Sequence, residues 1–374
     1  MRRLAGIGTL SATGPCGPEQ KEGDDMKDLD ETKLNDFVGQ VLGDLGGAAS
    51  VPLVRIGHAL GLYTALQEIG PATPEDLAAK AGCAPRYVRE WLAAQAASGY
   101  VTHEGGRFSL SPEQAMVFAE PDSPVNMCGA FDTAAAMVGN EEKVQLAFKT
   151  GKGVAWGDQS GCLFCAVAQC FRPGYVNALV QEWIPALEGV EAKLKAGARV
   201  ADVGCGHGLS TIIMAEAYPD SEFVGIDFHA DSIAAATAHA RAHGLENVRF
   251  EVGRAQDFAE DGFDLVTCFD CLHDMGDPEA AAGHIRKALK PDGTWMVVEP
   301  LAGDSLEENM NPVGRIYYCA STMICVPTSL AQERGRALGA QAGETRMSEV
   351  IRAGGFTQVR RTAESPLNMV LEAQ

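Results

Sequence analysis

Three clusters in this 374-residue chain have residue types and spacings suited to chemistry. The first is Val200-Ala201-Asp202-Val203-Gly204-Cys205-Gly206-His207-Gly208, an apolar run carrying one acid and ending in a G-x-G-x-G loop. Glycine is needed where backbone turns sharply and approaches a ligand, with the N-terminus of the next helix facing it. A dinucleotide loop, G-x-G-x-x-G, would require glycine at position 209, which is Leu209. The second cluster is Phe223-Val224-Gly225-Ile226-Asp227. An acid at such a strand tip, about 20 residues beyond the glycines, is placed to accept hydrogen bonds from ribose hydroxyls. The third is Phe269-Asp270-Cys271-Leu272-His273-Asp274-Met275-Gly276-Asp277-Pro278. An imidazole ordinarily titrates near neutrality, which makes His273 a candidate base for a hydroxyl, phenol or amine proton. The competing reading is a loop histidine that caps the next helix, whose N-cap and first residue are Asp277 and Pro278.

The elements that must position these residues begin at Arg199, where strand and helix patterns alternate. Strands are expected at Arg199–Val203, Glu222–Ile226, Val248–Val252, Phe263–Phe269, Thr294–Val298, Gln358–Thr362 and Asn368–Glu372. Helices are expected at Leu209–Tyr218, Asp231–His243, Pro278–Leu289 and Arg346–Ala353. Strands separated by helices require a parallel sheet with crossovers. The last two strands are joined by Ala363-Glu364-Ser365-Pro366, short enough for an antiparallel hairpin. The fold class is α/β, a Rossmann-like seven-stranded, mostly parallel sheet with a reversed last strand.

Upstream, an α-rich winged helix-turn-helix domain is expected over 31–112. A helical pattern runs from Lys33 to Leu66. Thr73 then caps a helix with Pro74 at its first position and Glu75 and Asp76 in its first turn, and Gly82 ends it. A second helix runs from Pro85 to Ala97, and two short strands, Tyr100–Thr102 and Arg107–Leu110, flank Gly105-Gly106. From Thr73 to Pro112 there are four basic and four acidic residues, too little positive charge for phosphate binding to dominate. A packing or dimerisation role is expected. Residues 113–195 read as a helical connector and substrate cap with a Gly-rich break at 151–157, and 301–345 as a lid insertion within a catalytic domain over 196–374. Residues 1–30 read as a disordered leader, with Met26 an alternative start.

The balance of 30 Lys+Arg against 50 Asp+Glu gives a formal charge of −20, which disfavours nucleic-acid and anionic-lipid partners. With 46% hydrophobic residues a sizeable core is possible. Apolar stretches read as too short for a bilayer span. The eleven cysteines accompany a full apolar core and no export signal, so reduced thiols and a cytoplasmic location are expected.

VADVGCGHG, VGID and PDGTWMVVEP (Pro291–Pro300) together resemble motifs of the class I S-adenosylmethionine-dependent methyltransferases, over about Arg199 to Gln374. The resemblance implies S-adenosylmethionine lying across the carboxyl ends of the strands, with Asp202 and Gly204 beside its methionine moiety and Asp227 on its ribose. The implied cofactor set is Asp202, Gly204, Cys205, Gly206, Gly208, Asp227, Phe228, Ala255, Gln256 and Asp270. Arg254 replaces the Asp that many relatives carry against the adenine, so the backbone at Ala255 or the Gln256 side chain takes that place. LHDMGDPEAA resembles the LHDW-type motif of small-molecule O-methyltransferases, which also carry a winged-helix dimerisation domain. That likeness implies His273 as general base, Glu299 as the acid that orients it, and a homodimer. NPVGRIYYCAST (Asn311–Thr322) and LGAQAGE (Leu338–Glu344) are similar to a bacterial winged-helix methyltransferase family found in mycobacteria.

The expected activity is methyl transfer to a small, partly apolar acceptor, most directly at oxygen. Two alternatives stay open. A transcriptional regulator sensing a metabolite or S-adenosylmethionine would need a basic winged helix. A thiol-assisted metalloid methyltransferase would need Cys162, Cys165, Cys271, Cys319 or Cys325 around the methyl position. The pairs Cys162/Cys165 and Cys268/Cys271 lack the knuckle of a zinc ribbon, so no metal ligand is assigned. Tyr317, Tyr318, Met323, Ile324 and Phe164 are candidates for an apolar pocket wall.

Overall fold

The structure, a computed structural model, describes residues 29–161 and 163–374. The expected leader therefore lies outside the described residues except for Leu29 and Asp30, and so do Met26 and Cys162. The chain divides into two compact units, Met1–Ala48 and Ala49–Gln374.

The first unit carries the start of a 29-residue helix, Glu31–Ala59. Its glycines, among them Gly39, Gly43 and Gly46, do not break it. By length and composition alone this helix can cross a membrane, with a mean hydropathy of 1.3 over 18 residues, which corrects the expectation that every apolar stretch is too short. Buried core helices and N-terminal signals have the same composition, so the property does not select a membrane. Phe37, Leu42 and Leu45 on this helix are exposed. The helical pattern expected to run on to Leu66 is interrupted at Gly61, whose φ of 65° is the left-handed conformation that glycine adopts without strain. A second helix follows at Leu62–Ile69.

The winged module folds as its local signals dictate. Thr73 and Asp76 form a reciprocal capping box on Pro74–Ala81: Asp76 N donates to Thr73 Oγ1 at 3.2 Å and Thr73 N to Asp76 Oδ2 at 3.0 Å. Pro85–Ala97 packs behind it, and the wing strands are Thr102–Glu104 and Arg107–Ser109. The module's core holds Tyr63, Leu66, Trp91, Leu92 and Phe118, and the buried Gln95 accepts from Tyr63 OH at 2.7 Å through its Oε1. All four basic side chains are already paired: Lys80 with Glu68, Arg86 with Glu90, Arg89 with Glu75 and Arg107 with Asp76.

Residues 113–195 are helical, as the sequence indicates, in segments that include Cys128–Gly139, Glu141–Thr150, Leu163–Gly174 and Val190–Ala196. A π-helical stretch, Tyr175–Trp183, follows Leu163–Gly174 directly.

The sheet has seven strands: β1 Arg199–Val203, β2 Glu222–Asp227, β3 Val248–Val252, β4 Phe263–Phe269, β5 Leu289–Pro300, β6 Val359–Glu364 and β7 Asn368–Ala373. Their spatial order is β3-β2-β1-β4-β5-β7-β6, with β7 antiparallel to both neighbours. The order reverses between β1 and β4, so the carboxyl ends of these strands open a crevice. β5 is longer than expected because Leu289 also pairs with Phe263, across a register shift before Leu265. One face of the sheet packs Phe263, Ile285, Trp295 and Met347, the other Leu179, Trp183, Met214 and Phe223. The buried strands thus read as apolar runs on both faces, and Asp202 is fully buried among them.

Candidate active site

The crevice holds a cavity of about 1000 Å³. Its wall includes Gly204, Cys205, Gly206, His207, Asp227 and Phe228, together with Trp156, Phe164, Val167, Phe171 and Met275, and the Phe164 ring lies 4.8 Å from that of His229, two residues beyond Asp227.

The glycine loop adopts left-handed φ at Gly204 (79°), Gly206 (52°) and Gly208 (77°). A Cβ on Gly204 would lie 2.6 Å from Cys271 Sγ, so this position must be bare for β1 and β4 to close. A Cβ on Gly206 would meet nothing within 4 Å, because its open side is the cavity. The helix Leu209–Ala217 starts directly after the loop, its amino end bordering the cavity at Leu209 and Ser210.

Asp202 accepts from Ser210 Oγ at 2.7 Å, Thr211 Oγ1 at 2.6 Å and Thr267 Oγ1 at 3.0 Å. It does not border the cavity, and these bonds tie the loop, the helix and β4 together. Burial raises its pKa, and the three hydroxyls oppose that rise. Asp227 does border the cavity: Oδ2 accepts from Gly206 N at 2.9 Å and Oδ1 from His229 N at 2.8 Å. Burial raises its pKa against those two amides, and each oxygen keeps a lone pair for a ligand hydroxyl. Phe228, half exposed, and Gly253, Arg254, Ala255 and Gln256 border the cavity too, and Gly253 N donates to Asp227 O at 3.0 Å. Arg254 is 3.9 Å from Asp257 rather than turned toward a buried partner. Burial lowers the pKa of His207, which keeps the loop's imidazole toward its neutral form.

At the tip of β4, Asp270 has φ 50°, uncommon for a residue with a side chain. Tyr175 OH donates to its Oδ2 at 2.9 Å and Asn368 Nδ2 to its Oδ1 at 2.7 Å. Burial, reinforced by the charge of Glu299, pushes its pKa up to about 8. Tyr175 comes from the π-helical stretch and Asn368 from the start of β7. Neither was singled out in the sequence, since only the closed sheet brings them to Asp270.

His273 lies in a short 3₁₀ turn, Leu272–Asp274, and is buried. Its Nδ1 is 2.5 Å from Glu299 Oε2, while Leu272 N donates to Glu299 Oε1 at 2.9 Å. The expected pair is thus assembled, but neither member borders the cavity; Asp274 does. His273 Nε2 lies 3.2 Å from Asp274 Oδ1. Burial disfavours a charged imidazole, but Glu299, Asp274 and Cys325 outweigh it and hold the His273 pKa well above its ordinary value.

Of the aromatic and apolar candidates for the pocket wall, only Phe164 reaches the cavity, its ring 5.3 Å from that of Trp156. Tyr317 and Ile324 are buried in a separate cluster with Ala136 and Leu163, and Met323 packs against it. Tyr317 OH is spent on Leu367 O at 2.7 Å. The insertion reaches the cavity instead through Thr328, Gln332, Glu333 and Arg334. Of the cysteines considered for metalloid methylation, Cys162 lies outside the described residues, and among the others only Cys271 borders the cavity. Cys165 and Cys319 are exposed, Cys325 is packed by His273, and Cys205 and Cys271 border the cavity. All nine described cysteines are free thiols.

The strand order with its reversed last strand, the G-x-G-x-G loop and the acid at the tip of β2 define an S-adenosylmethionine-dependent methyltransferase fold. In agreement, residues 194–343 match the family described as methyltransferase domain, and residues 48–120 the family described as Rv2258c-like winged HTH domain. Among curated proteins, the chain is 31% identical over 129 residues to the methyltransferase YcgJ of Bacillus subtilis, covering 33% of this chain and 50% of that protein. It is 38% identical over 101 residues to a ubiquinone biosynthesis O-methyltransferase of Neisseria meningitidis, covering 26% and 42%. The chain therefore spans about half the length of these relatives or less. Human N-acetylserotonin methyltransferase, solved in complex with SAM, shares the fold with a TM-score of 0.62 at 17% identity, over 96% of this chain and 99% of that one.

Proposed function

We propose that this chain transfers a methyl group from S-adenosylmethionine to an oxygen of a small, partly apolar acceptor. The observation that carries this reading is one cavity whose wall combines the glycine loop and Asp227 with the aromatic side chains Trp156, Phe164 and Phe171. The loop fits the cofactor by its own geometry, since the backbone at Gly206 is bare toward the cavity and Asp227 has lone pairs to spare. Asp227 would hold the ribose, Phe228 with Ala255 and Gln256 the adenine, and Gly204 with Asp270 the methionine end. S-adenosylmethionine supplies a sulfonium-bound, electrophilic methyl carbon. The protein's share is to align the acceptor with that carbon, exclude water and receive a proton.

Asp274 is the carboxylate that meets an acceptor in the cavity, and His273 with Glu299 stands behind it. A proton leaving the acceptor oxygen is received by Asp274, whose pKa burial raises, while His273, already held in its charged form, positions that carboxylate. Oxygen as the acceptor atom draws support from the Neisseria relative, an O-methyltransferase by name. The regulator reading finds no support in the winged module, where Lys80, Arg86, Arg89 and Arg107 are all paired with acids. A cytoplasmic location accords with the free thiols. A homodimer accords with the exposed apolar side chains of Glu31–Ala59.

The test is calorimetric titration of the purified full chain with S-adenosylmethionine, with NAD as control ligand, followed by an acceptor screen among hydroxylated aromatics. Binding of S-adenosylmethionine alone supports the reading. A folded protein that binds neither ligand removes it.

A further inference from the structure

Three chemically different donors converge beside the cavity. The imidazole of His273, the carboxylate of Asp274 and the thiol of Cys325 each offer one ligand atom, and these atoms all lie within 4.8 Å of one another. His273 and Asp274 come from the turn after β4, and Cys325 from a π-helical stretch, Ser321–Cys325, in the insertion after β5. The thiol is thus delivered to the histidine by an element more than forty residues away in sequence.

Two further observations distinguish this group from an ion pair with a neighbouring thiol. Asp274 Oδ1 is buried and makes no hydrogen bond, although it lies 3.2 Å from His273 Nε2. An ion pair without hydrogen-bond geometry leaves that buried oxygen unsatisfied as an acceptor, which is costly, and a cation between the two atoms would satisfy both. Behind the imidazole, Nδ1 is held by Glu299 Oε2 at 2.5 Å. A carboxylate on the far nitrogen is the arrangement that orients a metal-bound histidine and raises its basicity.

We propose that His273 Nε2, Asp274 Oδ1 and Cys325 Sγ form a site for a thiophilic divalent cation, with zinc as the ion that the donor set fits best. Imidazole, carboxylate and thiolate bind zinc at about 2.0–2.3 Å, so neighbouring donors in a tetrahedral shell stand about 3.3–3.8 Å apart. The group needs a contraction of about 1 Å at its widest pair. Cys325 enters as the thiolate and His273 as the neutral imidazole, and the thiol proton and the Nε2 proton both pass to solvent. Three protein ligands leave one position open, and Asp274 directs that position to the cavity. On the proposed function, the cation would engage Asp274, which receives the acceptor's proton, and the His273 that positions it, so a zinc-loaded chain is in an inhibited state.

The experiment uses the untagged full chain, stripped with a chelator, reloaded with zinc and dialysed, with metal counted by mass spectrometry and ligands by zinc X-ray absorption. It reads no turnover, so it is independent of the methyl-transfer reading. One zinc per chain with a single sulfur near 2.3 Å and the remaining shell nitrogen and oxygen is expected. Cys325→Ser and Asp274→Asn should each weaken zinc binding at least tenfold, whereas Cys165→Ser, at an exposed position, should leave it unchanged. A folded wild-type chain that retains no zinc overturns the proposal, as does a shell with no sulfur or with two or more. Wild-type affinity in the folded Cys325→Ser or Asp274→Asn variant overturns it equally. Should those variants fail to fold, the sulfur count on the wild-type protein decides.

Discussion

His273 Nδ1 stands 2.5 Å from Glu299 Oε2, yet the cavity is bordered by neither residue but by Asp274, the next residue in the chain. A histidine held by one carboxylate and facing another cannot act as a free base toward a ligand it does not touch. In the proposed reaction its part is to position Asp274, the carboxylate that borders the cavity.

Replacing His273 with Ala therefore has two separable effects. Turnover on a genuine acceptor should fall by about 10²–10⁴ with S-adenosylmethionine affinity retained. Stability should fall by about 3–5 kcal/mol, because Glu299 is left buried without its partner. Initial rates and denaturant titration measure the two. Full turnover in a destabilised protein would assign the histidine a purely structural role.

Asp227→Ala should abolish calorimetric binding of S-adenosylmethionine while leaving the fold intact, since the lost contacts are two local backbone amides. Retained affinity would remove Asp227 from the ribose.

The loop glycines separate packing from ligand approach. Gly204→Ala drives a methyl group into Cys271 Sγ and should destabilise the protein by more than the roughly 1 kcal/mol expected for left-handed strain alone. Gly206→Ala meets no protein atom and should cost only that strain, but should weaken cofactor binding by filling the bare side of the loop. Thermal melts with and without S-adenosylmethionine distinguish them.

Asp270 makes stability depend on pH in a definite direction. Its pKa of about 8 in the folded protein stands far above that of an unfolded aspartate. The folded state therefore binds the extra proton, and stability is greatest below about pH 4 as far as this group is concerned. It is lost as pH rises toward 8, by up to about 1.4 kcal/mol per pH unit. Asp270→Asn should flatten that slope between pH 5 and 8 in urea melts. An unchanged slope would assign the proton to another group.

Exposed Phe37, Leu42 and Leu45 bear on assembly. Phe37→Asp combined with Leu42→Asp should convert a dimer to a monomer in sedimentation velocity. A monomeric wild-type chain would refute the homodimer.

Local patterning is enough for much of this molecule. The capping box at Thr73, the alternation after Arg199 and the glycines of the loop act over a few residues, so their elements are legible to within a few positions. So is the order of the acids, because a strand tip followed by a helix start fixes where Asp227 and Asp270 must stand. The site's inner wiring is different in kind. Glu299 was traceable only through a motif likeness, and Tyr175 and Asn368 carry no local signature. They meet Asp270 because β7 inserts antiparallel beside β5 and because a π-helical turn aims the tyrosine inward. Tyr317 and Ile324 show the same limit from the other side. Their apolar character suits a pocket wall and a core equally, and only packing against Ala136 and Leu163 made them core. Which buried acid touches the cavity, and which histidine stands one residue behind it, depends on long-range closure of the sheet, and short-range propensity carries no information about that.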